Sequence, residues 1–212
     1  RNHGDSSWSK NHTYFDLASD IDNFLSENKI KDACLIGHSM GGKAAMLFDL
    51  LYPNFLSKLI IVDIAPVRYF SVFNRYLEVL RSIDLKLFKN RSEVSHKISS
   101  EIKDAKIRSF LLQNIKFNEI GILIWRINIE ALIENSIDIG NFPEIDITSN
   151  TQALFLFGSD SEYSVKSHKE SINELFSNAH FKEVEGAGHW VHSEKPRDFL
   201  EIVTNFLKST YH

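Results

Sequence analysis

A short glycine-flanked segment, residues 37–42, constrains this chain more than any other part of its sequence. It has the sequence Gly-His-Ser-Met-Gly-Gly, follows the apolar run 33–36 and precedes a helical pattern over 43–51. A serine with a small residue two positions before it and another two positions after it, at a strand-to-helix turn, is typical of a nucleophile. The turn is so sharp that we expect glycine at both flanking positions. It leaves the Ser39 hydroxyl at the end of a sheet, with the backbone N–H of Met40 facing a developing oxyanion. The alternative is a glycine-rich turn in which the serine has no chemical role.

The composition indicates a globular protein and excludes several classes of partner. The chain has 212 residues, 43% of them hydrophobic and 25% charged, enough for one domain with a substantial core. A net charge of −4 without any basic stripe disfavours nucleic-acid binding. No apolar run reaches the about 18 residues that cross a bilayer, so we expect no membrane span. The single cysteine, Cys34, cannot form an internal disulfide and is expected to be a buried small side chain. We therefore expect an intracellular protein, cytoplasmic or mitochondrial.

Apolar periodicity divides the chain into alternating helices and strands. Helical spacing predicts an amphipathic helix over 13–28 and a closing helix over 196–207. Runs of β-branched and aromatic residues predict four strands, at 33–36, 59–64, 153–158 and 181–184. Strands that alternate with helices in this way indicate an α/β fold with a mostly parallel sheet.

The pattern changes between two of these strands, where no strand-like run appears and apolar residues recur at helical spacing. The segment has about 80 residues, which is long for a single crossover connection. We therefore predict that 1–65 and 144–212 form the core and that 66–143 is a cap of three or four helices. Ordinary crossover helices are the alternative.

An activated serine needs a general base, normally histidine, and a carboxylate that holds this histidine in the correct tautomer. After a turn of this kind the chain order is serine, acid, histidine. His189 lies in the loop after the last predicted strand, where the small residues 186–188 would let it approach the serine. His192 is the nearest competitor, and a surface histidine without a role is the alternative. We expect His38, beside the serine, to be structural.

Two aspartates at the ends of predicted strands could be the acid. Asp63 ends the strand 59–64, and Asp160 follows the strand 153–158 in a Gly-Ser-Asp-Ser turn. Catalytic groups cluster at such strand ends, so position does not separate the two. A buried aspartate in an apolar strand end needs a partner, because an unpaired buried charge is costly. Asp160 has another explanation as a turn-forming residue.

Five blocks of sequence together resemble the α/β-hydrolases, and among them the esterase subgroup of the bacterial YbfF-type esterases and animal abhydrolase-domain-containing protein 11. The blocks are Arg-Asn-His-Gly-Asp-Ser at 1–6, Ile-Gly-His-Ser-Met-Gly-Gly-Lys at 36–43, Val-Asp-Ile-Ala-Pro-Val at 62–67, Trp-Arg-Ile-Asn at 125–128 and Gly-His-Trp-Val-His-Ser-Glu-Lys-Pro at 188–196. They span the whole chain in the family's order.

The resemblance implies an α/β-hydrolase fold with a helical cap and a serine esterase or thioesterase that needs neither metal nor cofactor. Its partner would be a small-molecule ester or thioester with a small to medium acyl chain, cleaved through an acyl-enzyme intermediate. In the bacterial branch the acid lies in the block that matches 62–67, which assigns this role to Asp63. At the position of Asp160 the family usually has asparagine, so this residue remains a candidate. Glu130 is a third carboxylate to consider, because close relatives have an acid there.

The resemblance also implies that this chain starts after the family's fourth strand, so that the N-terminal strands and the loop with the second oxyanion donor are absent. The strand before Ser39 would then be an exposed apolar edge. Aromatic residues could line the acyl site, although packing within the cap core is their alternative role. The candidates are Phe70, Phe73, Trp125 and Trp190.

Two other functions remain open from sequence. One is a different enzyme on the same fold, such as a haloperoxidase-like or C–C bond hydrolase; a dehalogenase is disfavoured because it needs aspartate in place of Ser39. The other is a catalytically impaired fragment or a non-catalytic binding protein with this fold.

Overall fold

A computed structural model describes residues 1–69, 73–163 and 165–209 of the chain. The strands in these residues are β1 (Ala33–His38), β2 (Leu56–Val62), β3 (Ile115–Phe117), β4 (Leu123–Trp125), β5 (Gln152–Gly158) and β6 (Ala179–Val184). The helices are α1 (Tyr14–Glu27), α2 (Met40–Leu51), α3 (Phe73–Arg81), α4 (Arg91–Lys97), α5 (Ala105–Leu112), α6 (Ile129–Glu134), α7 (Ser136–Gly140), α8 (Lys169–Leu175), α9 (Val191–Glu194) and α10 (Pro196–Lys208), with short 3-10 turns at Leu85–Leu87 and Val165–His168.

The described residues form two compact units. We call Tyr14–Tyr69 with Asn141–His212 the sheet unit, and Arg1–Thr13 with Phe70–Gly140 the helical unit, in each case meaning their described residues. This grouping places the first 13 residues with the helical segment, whereas the sequence assigned them to the core. The functional division into a core and a cap stays a prediction.

The sheet unit contains a four-stranded parallel sheet in the order β1-β2-β5-β6. All four predicted strands are present, and the prediction of an α/β fold with a parallel sheet is confirmed. The second strand ends at Val62, so Asp63 lies just beyond it. Helices α1 and α2, which flank β1 in sequence, pack against each other.

The two central strands of the sheet, β2 and β5, have nearly continuous apolar sequences because both faces of each strand are covered. On one face Ile61 and Phe155 belong to the same buried cluster as Phe48 of α2. On the other face Val62 and Leu156 are buried with residues of α10. Burying each such side chain contributes about 1.5–3 kcal/mol relative to leaving it exposed. The ends of these two strands, where the candidate residues lie, are therefore firmly held.

The strand before Ser39, β1, lies at an edge of the sheet that the described residues form. Its side chains Cys34 and Ile36 are exposed, Ile36 to 47%. The expected burial of Cys34 is therefore wrong, and the apolar character of this edge agrees with the expectation from the family resemblance. Among the described helices, none combines the length and the apolar character needed to cross a membrane.

The helical unit contains a β-hairpin that the sequence did not predict. Strands β3 and β4 pair in antiparallel fashion, although Ile115 and Trp125 fit the helical spacing of their neighbours. The turn depends on Asn118, whose side-chain oxygen accepts hydrogen bonds from the N–H groups of Ile120 and Ile122. Gly121 supplies a positive φ of 77° in the same turn. The expectation of helices alone is wrong here, because strands of three residues are too short to produce a periodic signal.

Residues 1–13 belong to the helical unit through a network of asparagine side chains. The backbone of Asn2 accepts a hydrogen bond from Asn128 N–H (3.0 Å), and the Asn128 amide donates to the Asn2 side chain (3.1 Å). Gly4 N–H donates to the carbonyl of Arg126 at 2.7 Å. Asparagine pairs of this kind join segments more than 120 positions apart, so local sequence patterns do not reveal them.

Candidate active site

Ser39 occupies the single position between β1 and α2 and has a strained backbone. Its φ is 53° and its ψ is −120°, in a region where a non-glycine residue costs about 1–3 kcal/mol. The Ser39 N–H donates to Val62 O at 3.1 Å, which continues the β1–β2 ladder up to the turn. The N–H of Met40, in the first turn of α2, has no acceptor within the helix and can face an oxyanion.

The glycines around Ser39 differ in how much the turn requires them. A Cβ on Gly37 would lie 2.4 Å from the carbonyl oxygen of Gly41, and one on Gly42 would lie 2.6 Å from Ile64 Cγ2. A Cβ on Gly41 would have no neighbour within 4 Å. The expectation that a side chain would collide is therefore correct for Gly37 and wrong for Gly41. Gly42 is instead the second position at which a side chain would collide, because α2 packs closely on the end of β2.

Asp63 has the same relation to β2 that Ser39 has to β1. It is the first residue after the strand, has a φ of 53°, and its N–H donates to Leu156 O at 2.9 Å. Its side chain is fully buried and accepts hydrogen bonds from Gly158 N–H (Oδ1, 3.1 Å) and from the Ser161 hydroxyl (Oδ2). These donors compensate the burial of a carboxylate, as a buried charge requires.

His189 forms a further hydrogen bond with the carboxylate of Asp63, with Nδ1 at 2.7 Å from Oδ2. An Nδ1–H group that donates to a carboxylate leaves Nε2 as the acceptor, which is the tautomer that a general base needs. The loop that carries His189 passes directly over the end of β5, where a Cβ on Gly158 would lie 2.1 Å from Ala187 O. The small residues before His189 thus permit the close approach expected from the sequence.

Two further histidines surround His189. The rings of His38 and His189 are 4.6 Å apart, and His38 Nε2 lies 2.9 Å from the carbonyl oxygen of His189. Burial, together with the charge of His189, lowers the pKa of His38 to about 4, so that it is neutral at pH 7 and donates to this carbonyl. Burial and His189 also lower the pKa of His192. His38 thus contacts the loop that carries His189, and its structural role stays a prediction.

Sequence reasoning missed Tyr163, which contacts the candidate base. Its ring stacks on the imidazole of His189, with centroids 4.1 Å apart and planes 22° apart. Burial raises the pKa of the Tyr163 phenol, and the side chain of Ser39 opposes this rise. The available signal was its position in the loop after a buried parallel strand, where functional side chains gather.

The other two candidate carboxylates have different surroundings. Asp160 is exposed and accepts a hydrogen bond from Ser159 Oγ at 2.9 Å. Glu130 lies in the helical unit, where its side chain is 64% exposed and 3.6 Å from Arg81. Asp63 is thus the candidate acid that binds the candidate base. In the described part of the chain no three His, Cys, Asp or Glu side chains are arranged to hold a metal ion.

The four predicted substrate-binding residues have different surroundings. Phe70 lies outside the described residues. In the helical unit, Phe73 is 37% exposed, whereas Trp125 packs against the buried cluster of that unit. In the sheet unit, the ring of Trp190 lies 5.6 Å from that of His189. A role in substrate binding stays a prediction for all four, and Trp190 has the contact that favours it most.

Residues 1–196 match the family model of the alpha/beta hydrolase fold. The chain is 36% identical to mouse (Mus musculus) sn-1-specific diacylglycerol lipase ABHD11 over 98% of its own length and 69% of that protein. It is 30% identical to esterase YbfF of Escherichia coli, over 98% of this chain and 80% of the relative. The solved structure of a marine microorganism esterase is similar with a TM-score of 0.92 and 36% identity, over 97% of this chain and 82% of that one. The chain belongs to the α/β-hydrolase fold family, in a group whose named members include esterases and lipases.

Proposed function

We propose that this protein is a serine hydrolase that cleaves carboxylic esters or thioesters through an acyl-enzyme intermediate. Esterase or lipase activity is what the named relatives support in general terms. The observation that carries the finer proposal is the 2.7 Å hydrogen bond between His189 and the buried carboxylate of Asp63. The strained turn at Ser39 supports it further.

In the first half of the reaction Ser39 Oγ attacks the carbonyl carbon of the ester. The Ser39 proton moves to His189 Nε2, and Asp63 stabilises the imidazolium through Nδ1–H without taking the proton. The carbonyl electrons move to oxygen, and the resulting oxyanion accepts a hydrogen bond from Met40 N–H. Collapse of this intermediate expels the alcohol or thiol, which takes the proton from His189 and leaves the acyl group on Ser39.

In the second half a water molecule hydrolyses the acyl-enzyme. His189 removes a proton from the water while its oxygen attacks the acyl carbon, and the bond from this carbon to Ser39 Oγ then breaks. The proton returns from His189 to Ser39, so the site is regenerated and needs no metal or cofactor for the proton balance. Asp63 keeps the same tautomer of His189 through both halves, which is why one fixed carboxylate suffices.

We propose small to medium acyl chains as the substrates. Trp190, next to His189, offers an apolar surface beside the reacting carbonyl. The name of the mouse relative adds acylglycerols as a class to test.

The test is hydrolysis of p-nitrophenyl esters of increasing acyl length and of a diacylglycerol, with labelling by a fluorophosphonate as the second readout. We expect wild-type protein to hydrolyse the esters and to take up one label, and Ser39→Ala to do neither. Ser26→Ala is the matched control, because Ser26 lies on the exposed face of α1. Activity that survives in Ser39→Ala would remove the nucleophile assignment. A wild-type protein that is neither active nor labelled would favour a non-catalytic binding protein instead.

A further inference from the structure

Tyr69 joins two loops that follow neighbouring strands of the sheet unit. Its hydroxyl accepts a hydrogen bond from Ala65 N–H at 3.2 Å, in the loop after β2, and donates to Tyr163 O at 3.1 Å, in the loop after β5. An N–H group can only donate and a carbonyl can only accept, so the direction of both bonds is fixed. Burial raises the pKa of Tyr69, so its hydroxyl keeps the proton that it donates.

The two loops that Tyr69 joins carry parts of the candidate site. Asp63, the candidate acid, lies two residues before Ala65. In the other loop, the ring of Tyr163 stacks on the imidazole of His189, with centroids 4.1 Å apart. The rings of Tyr69 and Tyr163 also meet edge to face, with centroids 5.1 Å apart. Tyr69 thus contacts both the backbone and the ring of the residue that packs on the candidate base.

Lys43 holds the ring of Tyr69 from α2, the helix that follows Ser39. Its side chain is buried, and its Nζ lies 5.1 Å from the centroid of the Tyr69 ring and donates to Asn141 O at 2.7 Å. A lysine ammonium within about 6 Å of an aromatic centroid is attracted to the ring, and more strongly where water is excluded. Burial lowers the pKa of Lys43 to about 7. The charged and the neutral amine both carry N–H groups, so the bond to Asn141 does not depend on the charge.

Tyr69 and Lys43 together cross-link the three segments on which the proposed function depends. These are the helix after the candidate nucleophile, the loop with the candidate acid and the loop whose ring packs on the candidate base. The segments are far apart in sequence, so contacts between side chains have to fix their relative positions. A displacement of about 1 Å near reacting groups can lower a rate by about 100-fold, so such a cross-link bears on catalysis.

We propose that Tyr69 is a positioning residue for the hydrolysis, whose hydroxyl fixes the loop after β5 against the loop after β2 and whose ring is fixed in turn by Lys43. The inference deepens the proposed function and rests on it. In this role Tyr69 transfers no proton; it limits the movement of the ring that packs on His189. Since a fixed geometry lowers the barrier of the chemical step, its loss should appear in kcat and not in KM.

Removal of the hydroxyl tests the first part of the inference. Tyr69→Phe keeps the ring and removes both hydrogen bonds, and we expect kcat on a p-nitrophenyl ester to fall about tenfold with KM unchanged. Tyr52→Phe is the matched control. Tyr52 caps the far end of α2 and stacks on Phe48, so we expect wild-type kinetics from this variant. Thermal unfolding, measured in parallel, shows that each variant is folded at the temperature of the assay.

Removal of the lysine amine tests the second part. Lys43→Met keeps the length of the side chain and removes Nζ, and we expect kcat to fall about threefold with KM unchanged. Lys58→Met is the matched control, because Lys58 Nζ also donates to backbone carbonyls, at the end of α10, and lies 5.1 Å from the centroid of the Phe206 ring. Lys58 lies near the start of β2, at the opposite end from Asp63. Its loss should therefore lower stability and leave kcat unchanged.

A variant with both substitutions decides whether Lys43 acts through Tyr69. If it does, the kcat of the double variant equals that of Tyr69→Phe, because the hydroxyl that transmits the effect is already absent. If the two single effects multiply instead, Lys43 acts by another route and its part of the inference is overturned.

A second readout separates positioning from a contribution to stability alone. The far-downfield proton resonance of His189 Nδ1–H reports the hydrogen bond to Asp63. We expect Tyr69→Phe to broaden this resonance at a temperature at which the variant is folded, whereas Tyr52→Phe and Lys58→Met should keep it sharp. A role in stability alone would lower the unfolding temperature of Tyr69→Phe and leave both kcat and the resonance as in the wild type.

The outcomes distinguish this inference from the proposed function. A folded Tyr69→Phe protein with wild-type kcat would overturn the inference, and the proposed function would stand as long as the wild type hydrolyses esters and takes up the fluorophosphonate. If Tyr69→Phe does not fold, Lys43→Met decides: a lower kcat supports the inference and a wild-type kcat overturns it. If the wild type neither hydrolyses esters nor takes up the label, the proposed function fails and this inference fails with it.

Discussion

Replacing Asp63 with asparagine removes the charge from the buried carboxyl while keeping its shape. Asparagine tolerates the positive φ of 53° at this position, so the backbone can remain as it is. The amide must then place one oxygen and one NH₂ group where Asp63 now has two oxygens. Oδ1 accepts from Gly158 N–H, whereas Oδ2 accepts from His189 and from the Ser161 hydroxyl.

The contacts decide which way the amide of Asp63→Asn points. With NH₂ at the Oδ1 position, Gly158 N–H would face a donor, and an unsatisfied buried group costs about 1–3 kcal/mol. With NH₂ at the Oδ2 position, the Ser161 hydroxyl can rotate to accept, and His189 can move its proton to Nε2. The second arrangement is therefore favoured, and in it His189 can no longer accept the proton of Ser39.

We expect Asp63→Asn to lower kcat by about 10⁴-fold, the effect of fixing the wrong tautomer in a triad. This fall corresponds to about 5 kcal/mol of activation free energy. The assay is kcat and KM on a p-nitrophenyl ester, with thermal unfolding to check that the fold is retained. Asp160→Asn and Glu130→Gln are the matched controls, and both should stay close to wild type. A fall of less than tenfold in Asp63→Asn, or a large fall in either control, would refute the assignment of the acid.

Two further predictions concern stability. Gly37→Ala should lower the free energy of unfolding in urea by about 3 kcal/mol, because the new Cβ would meet the backbone of α2. Gly41→Ala should raise this free energy by up to about 1 kcal/mol, because alanine favours a helix more than glycine does and its Cβ would meet no atom. Equal effects of the two substitutions would contradict the steric argument. Lys43 is buried in α2 with Nζ at 2.7 Å from Asn141 O, and burial lowers its pKa from 10.5 to about 7. Between these two pH values the unfolded chain binds more protons than the folded protein does. The free energy of unfolding should therefore rise with pH over this window, and the rise should be smaller in Lys43→Met. A Lys43→Met protein with the wild-type slope of stability against pH would show that another group is responsible.

The parallel sheet could be predicted, as could the positions of Ser39, Asp63 and His189 in turns and loops that follow strands, because each depends on a local pattern. Strands and helices have different hydrophobic periodicities, and glycines mark the turn between them. An aspartate at the end of an apolar strand indicates that a partner lies nearby, because an unpaired buried charge is costly. The hairpin of β3 and β4 could not be predicted, since its strands have three residues each. The contacts of Tyr163 and Gly42 depend on what lies opposite them in space, which no local pattern encodes.

His38 and His192, the two histidines beside the proposed base His189, affect the charge that can form on it. The ring of His38 lies 4.6 Å from that of His189 and 4.9 Å from that of His192, so two imidazolium ions here would repel each other strongly. Burial and His189 lower the pKa of both His38 and His192, which favours the neutral form of each ring. During the proposed reaction only one positive charge then has to form in this cluster, on His189, and the carboxylate of Asp63 lies 2.7 Å from it. Because His38 is neutral, it can hold the loop that carries His189 close to the turn at Ser39 without placing a second positive charge beside His189. The proton transfer to His189 is therefore not opposed by the charge of His38.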